Sequence, residues 1–146
     1  MRAPGFWHRE PGLLSALLQP LGAIYASASK RRLARGPHDR VGVPIICVGN
    51  LNAGGTGKTP TVIALAERLR DRGIAAHAVT RGHGGTLAGP VRVDERRHKA
   101  DQTGDEPLLL AAFLPTWVAK DRAAGARAAV AAGAQVILLD DGFQNP

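Results

Sequence analysis

The sequence predicts an α/β protein built around a mostly parallel sheet with flanking helices. Three observations carry that expectation. Short apolar runs at 43–48, 75–80 and 135–139 alternate with helical stretches, as strands buried on both faces do. A glycine-rich loop joins the first run to the next helix, and the last run leads into two carboxylates, Asp140 and Asp141. A length of 146 residues, 45% hydrophobic and 21% charged, is one ordinary globular domain's worth of chain. It excludes collagen, low-complexity disorder and a disulfide scaffold. Aromatics at 4% speak against a stacking platform for single-stranded nucleic acid. The basic N-terminal segment on its own would suit anionic lipid or nucleic acid, and of the two no nucleic-acid partner is expected. The single Cys47 cannot form an internal disulfide, which fits a reducing compartment.

Residues 1–40 read as an amphipathic, basic, membrane-associating segment. From Gly12 to Tyr25 the chain is apolar, with Leu13, Leu17, Leu21 and Ile24 on one helical stripe and Leu14, Leu18 and Tyr25 beside it. Gln19 and Pro20 are expected to interrupt this helix, and the run falls short of the ~20 apolar residues of a membrane span. Lys30, Arg31, Arg32 and Arg35 follow directly. The formal net charge is +7, and residues 1–40 hold seven basic groups against two acidic ones. An apolar stripe with a basic flank is the pattern of a helix lying in an anionic membrane interface. A packed soluble helix is the plainer alternative. Glu10 ahead of the run and Gln19-Pro20 within it speak against a signal peptide.

Residues 41–146 carry the remaining elements. Val43–Val48 reads as a buried strand, 60–72 as a helix ended by Gly73, and 75–80 as the second strand. A short strand at 91–94, a helix at 106–114, an extended stretch at 117–119 and an Ala-rich helix at 121–132 follow. The strand at 135–139 is the last element. No helix follows it, and a parallel strand needs cover on both faces. It is therefore expected to lie uncovered, and the chain to be an incomplete domain.

The strongest chemical signal is Gly54-Gly55-Thr56-Gly57-Lys58-Thr59, placed after a strand and before a helix. That is the context of a P-loop. Its glycines let backbone N–H groups curl around phosphates, and the helix N-terminus adds partial positive charge. Lys58 is placed to reach the β- and γ-phosphates of ATP, and the Thr59 hydroxyl to hold Mg²⁺. The first glycine of the strict motif is replaced by Asn52. Asp140 and Asp141, at the C-terminal end of an apolar strand, are candidate Mg²⁺ carboxylates of the Walker B kind. Arg81, in Thr80-Arg-Gly-His-Gly-Gly85, is either a phosphate contact or a solvated turn residue. In Gly104-Asp105-Glu106-Pro107 the two acids either cap a helix or serve as a base or Mg²⁺ ligand near the γ-phosphate.

Taken in order, Val48-Gly-Asn-Leu-Asn-Ala-Gly-Gly-Thr-Gly-Lys-Thr-Pro60, Thr80–Gly85, Gly104–Pro107 and Asp140-Asp-Gly-Phe-Gln144 resemble the tetraacyldisaccharide 4'-kinase (lipid A kinase) family. The N-terminal helix with its basic flank is similar to that family's membrane-proximal helix. The resemblance implies transfer of the ATP γ-phosphate to the 4'-hydroxyl of a lipid A disaccharide precursor, forming lipid IVA, at the cytoplasmic face of the inner membrane. It implies Lys58 and Thr59 as phosphate and Mg²⁺ ligands, Asp140 and Asp141 as the Walker B pair, and Asp105 as the acid assisting deprotonation of the acceptor. Arg81 and Gln144 match positions lining the site. His83 and Asn145 stand where the family has Tyr and His. The resemblance also implies a C-terminal domain that this chain lacks, leaving an isolated fragment inactive. Two other classes share the P-loop and basic helix: a membrane-cycling regulatory ATPase or GTPase, and a non-catalytic nucleotide-binding remnant.

Overall fold

In the computed structural model the described residues are 12–35, 40–49 and 57–140. They fall into two compact units. The first contains helix α1 (Leu13–Arg35). This helix runs unbroken through Pro20, so the expected interruption at Gln19-Pro20 does not occur. Proline's fixed φ is helical, and within α1 it forfeits one backbone hydrogen bond, the one toward residue 16. Leu13, Leu17, Leu21 and Ile24 are all exposed, at 87%, 73%, 63% and 67%. No helix among the described residues is long and apolar enough to cross a membrane.

The second unit is a five-stranded sheet in the order β1-β5-β2-β4-β3. Its strands are β1 (Ile45–Val48), β2 (Ala76–Thr80), β3 (Val91–Arg92), β4 (Thr116–Val118) and β5 (Val136–Asp140). β1, β5, β2 and β4 are mutually parallel, and only β3 pairs antiparallel, against β4. The helices are α2 (Lys58–Arg70), α3 (Ala100–Thr103), α4 (Asp105–Ala111) and α5 (Arg122–Ala131). α3 has no counterpart among the expected elements.

The strand period of two sorts the core into two layers. On one face Ala76, Ala78, Val136 and Leu138 pack with Val62 and Ala66 of α2 and Leu110 of α4. On the other, Val79, Ile137 and Leu139 pack with Ala126 and Ala129 of α5. The last strand is therefore not uncovered. β5 lies between β1 and β2, its five residues are all buried, and α2 and α5 supply its cover. The cover comes from helices earlier in the chain, which the expectation of a following helix overlooked. The exposed strand is β1, at the sheet edge, where Ile45 and Ile46 remain partly open.

Candidate functional site

Because β1, β5, β2 and β4 are parallel, their C-terminal ends lie along one side of the sheet. Ligands of open α/β sheets bind at that side. In sequence the glycine loop follows β1, and β5 delivers Asp140 to that side, in register with Val48. Gly57 precedes α2 in a left-handed conformation, φ +76°, that glycine adopts without steric cost. Lys58 and Thr59 are the first residues of α2. Gly54, Gly55, Thr56, Asp141 and Gln144 lie outside the described residues.

Three of the site's oxygen-bearing side chains share one face of the sheet. Asp140 follows Val136 and Leu138 on the α2 side and is 1% exposed. The Thr59 hydroxyl donates to the Glu106 carboxylate, joining the head of α2 to the first turn of α4. Asp105 begins α4 and is exposed, as is Arg81 just beyond β2. The structure thus brings Glu106, not the adjacent Asp105, onto Thr59. Successive helical residues point about 100° apart, so two neighbouring acids cannot both face α2.

Arg122 is a residue that sequence reasoning missed. It opens α5, is buried, and its Nη2 donates to the Asp140 carbonyl at 3.4 Å. This ties the end of β5 from the face opposite α2. The start of α5 is itself fixed by Asp121, whose carboxylate accepts from the N–H groups of Ala123 and Ala124 at 2.9 and 3.1 Å. An arginine opening an Ala-rich helix carries no sequence signal for such a role.

Among the described residues no three His, Cys, Asp or Glu side chains converge as a metal cage. A hydroxyl and two carboxylates on one face are instead the sparse oxygen set suited to Mg²⁺, which takes one or two carboxylates and completes its shell with phosphates and water. These residues fit the ion.

A parallel sheet that presents a Gly-Lys-Thr helix start beside a buried strand-end aspartate defines a P-loop NTPase-like α/β protein. Within that class, residues 14–146 match the family described as Tetraacyldisaccharide-1-P 4'-kinase, and the chain belongs to that family. It is 66% identical over its full length to the tetraacyldisaccharide 4'-kinase of Jannaschia sp. (strain CCS1), covering 44% of that protein. It is 70% identical to the corresponding kinase of Dinoroseobacter shibae, again covering all of this chain and 44% of the relative. The crystal structure of LpxK from Aquifex aeolicus in complex with ATP superposes with a TM-score of 0.74 at 30% identity, covering 90% of this chain and 45% of that one. The chain thus spans less than half the length of the relatives it matches.

Proposed function

We propose that this chain is the ATP-binding part of a kinase that phosphorylates the 4'-hydroxyl of a lipid A disaccharide precursor, working at an anionic membrane surface. The observation that carries the reading is the placement of Thr59, Glu106 and buried Asp140 on one face at the strand ends. The Aquifex relative's complex with ATP supports the choice of nucleotide.

In this reading the glycine loop 54–57 and Lys58 bind the phosphates, while Thr59, Glu106, Asp140 and Asp141 hold Mg²⁺. The ion neutralises charge on the β- and γ-phosphates when bound. Asp105, exposed beside Glu106, accepts the proton of the acceptor hydroxyl as its oxygen bonds to the γ-phosphorus and ADP leaves. Arg81, just beyond β2, is assigned to the same side of the sheet, and Gln144 is assigned to the site by the family resemblance alone. In the same reading α1 lies in the membrane interface, with its leucine stripe toward lipid and its basic end toward headgroups.

The test is nucleotide binding by wild type and Lys58→Ala in the presence of Mg²⁺. A phosphate cluster needs the lysine charge together with the loop donors, so Lys58→Ala should lose most of the affinity. Equal binding by both proteins would remove the P-loop assignment. Formation of 4'-phosphorylated disaccharide, read by mass spectrometry with the chain in its full-length context, tests the acceptor.

A further inference from the structure

The loop that follows β2, Arg81–Leu87, has the glycine content of a phosphate-binding loop. Yet two of its three glycines, Gly82 and Gly85, lie hard against protein atoms, and only Gly84 faces open space. A Cβ on Gly82 would stand 2.6 Å from Val118 Cγ1 and 2.8 Å from the Thr103 carbonyl oxygen. On Gly85 it would stand 2.5 Å from the Gln102 carbonyl oxygen and 2.6 Å from the Thr103 carbonyl carbon. On Gly104 it would stand 2.5 Å from the His83 carbonyl oxygen. Two hydrogen bonds continue the seam, from the Thr86 N–H to Asp101 O at 3.1 Å and from the Leu87 N–H to Gln102 O at 2.9 Å. Thr103, within this seam, is fully buried.

We propose that residues 82–87 clamp the backbone entering α4, making Gly82, Gly85 and Gly104 positioning residues that set where the Glu106 carboxylate meets Thr59. α4 is only seven residues long, and its buried anchors, Pro107 and Leu110, lie beyond Glu106. The residues ahead of Glu106 are held by the clamp. Gly104 is two residues from Glu106, so a shift of a few tenths of an ångström at the seam passes directly to the carboxylate. The close approach leaves no room for a side chain at Gly85, whose seam neighbours are backbone atoms that cannot rotate aside. The functional meaning of the clamp rests on the kinase reading, since it fixes one of the oxygen groups assigned there to Mg²⁺.

The test is a thermodynamic cycle. Thr59→Val and Glu106→Ala are made singly and together, in the wild-type and Gly85→Ala backgrounds, and stability is read by denaturant unfolding. The two substitutions should be non-additive in the wild type and additive in Gly85→Ala. Unchanged coupling would overturn the clamp. Binding of a fluorescent ATP analogue supplies a second readout: Gly85→Ala should lower affinity at least tenfold in Mg²⁺ and leave affinity in EDTA unaltered. Equal losses in both conditions would show general damage and also overturn it. Should Gly85→Ala not fold, amide exchange of Thr86 and Leu87 decides the matter. Exchange should quicken in Thr59→Val/Glu106→Ala relative to wild type, and unaltered exchange would count against the clamp. If the wild type gains no affinity from Mg²⁺, the kinase reading fails, while the cycle and the exchange rates still decide the clamp.

Discussion

His77 shows how one buried side chain gives the fold a pH dependence. It sits on β2, on the α5 side of the sheet, and its Nδ1 accepts from Trp117 Nε1 at 3.3 Å. That bond requires the neutral ring with its proton on Nε2. Burial lowers its pKa from 6.5, and the nearby Arg92 guanidinium lowers it further. The unfolded chain therefore binds the proton more readily, so the stabilising contribution is complete above 6.5. It is lost as pH falls from there through the lower native value. The urea midpoint of wild type should drop across that window, and His77→Gln should flatten the drop. A wild-type midpoint that rises on acidification there would contradict the assignment. His77 was not a candidate of any kind from sequence, because an isolated histidine in an apolar run gives no sign of its partner 40 residues away. Glu106 was half visible. Its motif marked the pair of acids, but only the helical phase of α4 selects which of them meets Thr59.

At the level of elements, α5 packs on the sheet through its glycine. A Cβ on Gly125 would stand 2.7 Å from Ala119 Cβ and 3.0 Å from Val79 Cγ1. Alanine gains about 1 kcal/mol of helix propensity over glycine, whereas forcing a methyl group into a packed layer costs ~1–3 kcal/mol. The Ala119 Cβ is fixed to the backbone and cannot turn away, so overpacking wins. Gly125→Ala should be net destabilising by about 1 kcal/mol in denaturant unfolding, although the site is helical. Removing the cap with Asp121→Ala should cost a similar ~1 kcal/mol by the separate route of two unpaired N–H groups. Such elements were legible because their signals are local: Asp121 and Gly133 bracket α5, and apolar runs mark β1 and β5. The sheet order was not. Inserting β5 between β1 and β2 depends on pairings some 60 to 90 residues apart, which no local pattern encodes. α3 is not legible because four residues carry too little periodicity, and the continuity of α1 is not legible because proline's cost inside a helix predicts a break.

For the whole molecule, charge and apolar surface are distributed unequally, and this asymmetry favours an anionic membrane surface. α1 exposes Leu13, Leu17, Leu21, Ile24 and Tyr25, while Lys30 and Arg31 near its C-terminal end are also exposed. Twenty-three residues give a helix about 35 Å long, enough to lay several turns along a bilayer surface. Its polar fraction forbids a span, so its leucines can reach lipid only by lying in the interface. Each cation near an anionic surface is worth about 1 kcal/mol and is screened by salt. Lys30, Arg31, Arg32 and Arg35 together should therefore govern capture by anionic vesicles, with the apolar stripe governing retention. In flotation assays the chain should bind vesicles containing anionic lipid, less so as salt rises, and hardly at all once these four residues are changed to glutamate. Substituting Leu17 and Leu21 with Ser should weaken binding even at low salt, because headgroup attraction alone leaves the helix unanchored. Both dependences are needed: loss on charge reversal without loss on Leu→Ser describes only a basic surface, and the reverse describes only an exposed apolar helix. Binding indifferent to salt, or absent from anionic vesicles, would return α1 to the plain reading of a helix that packs against protein.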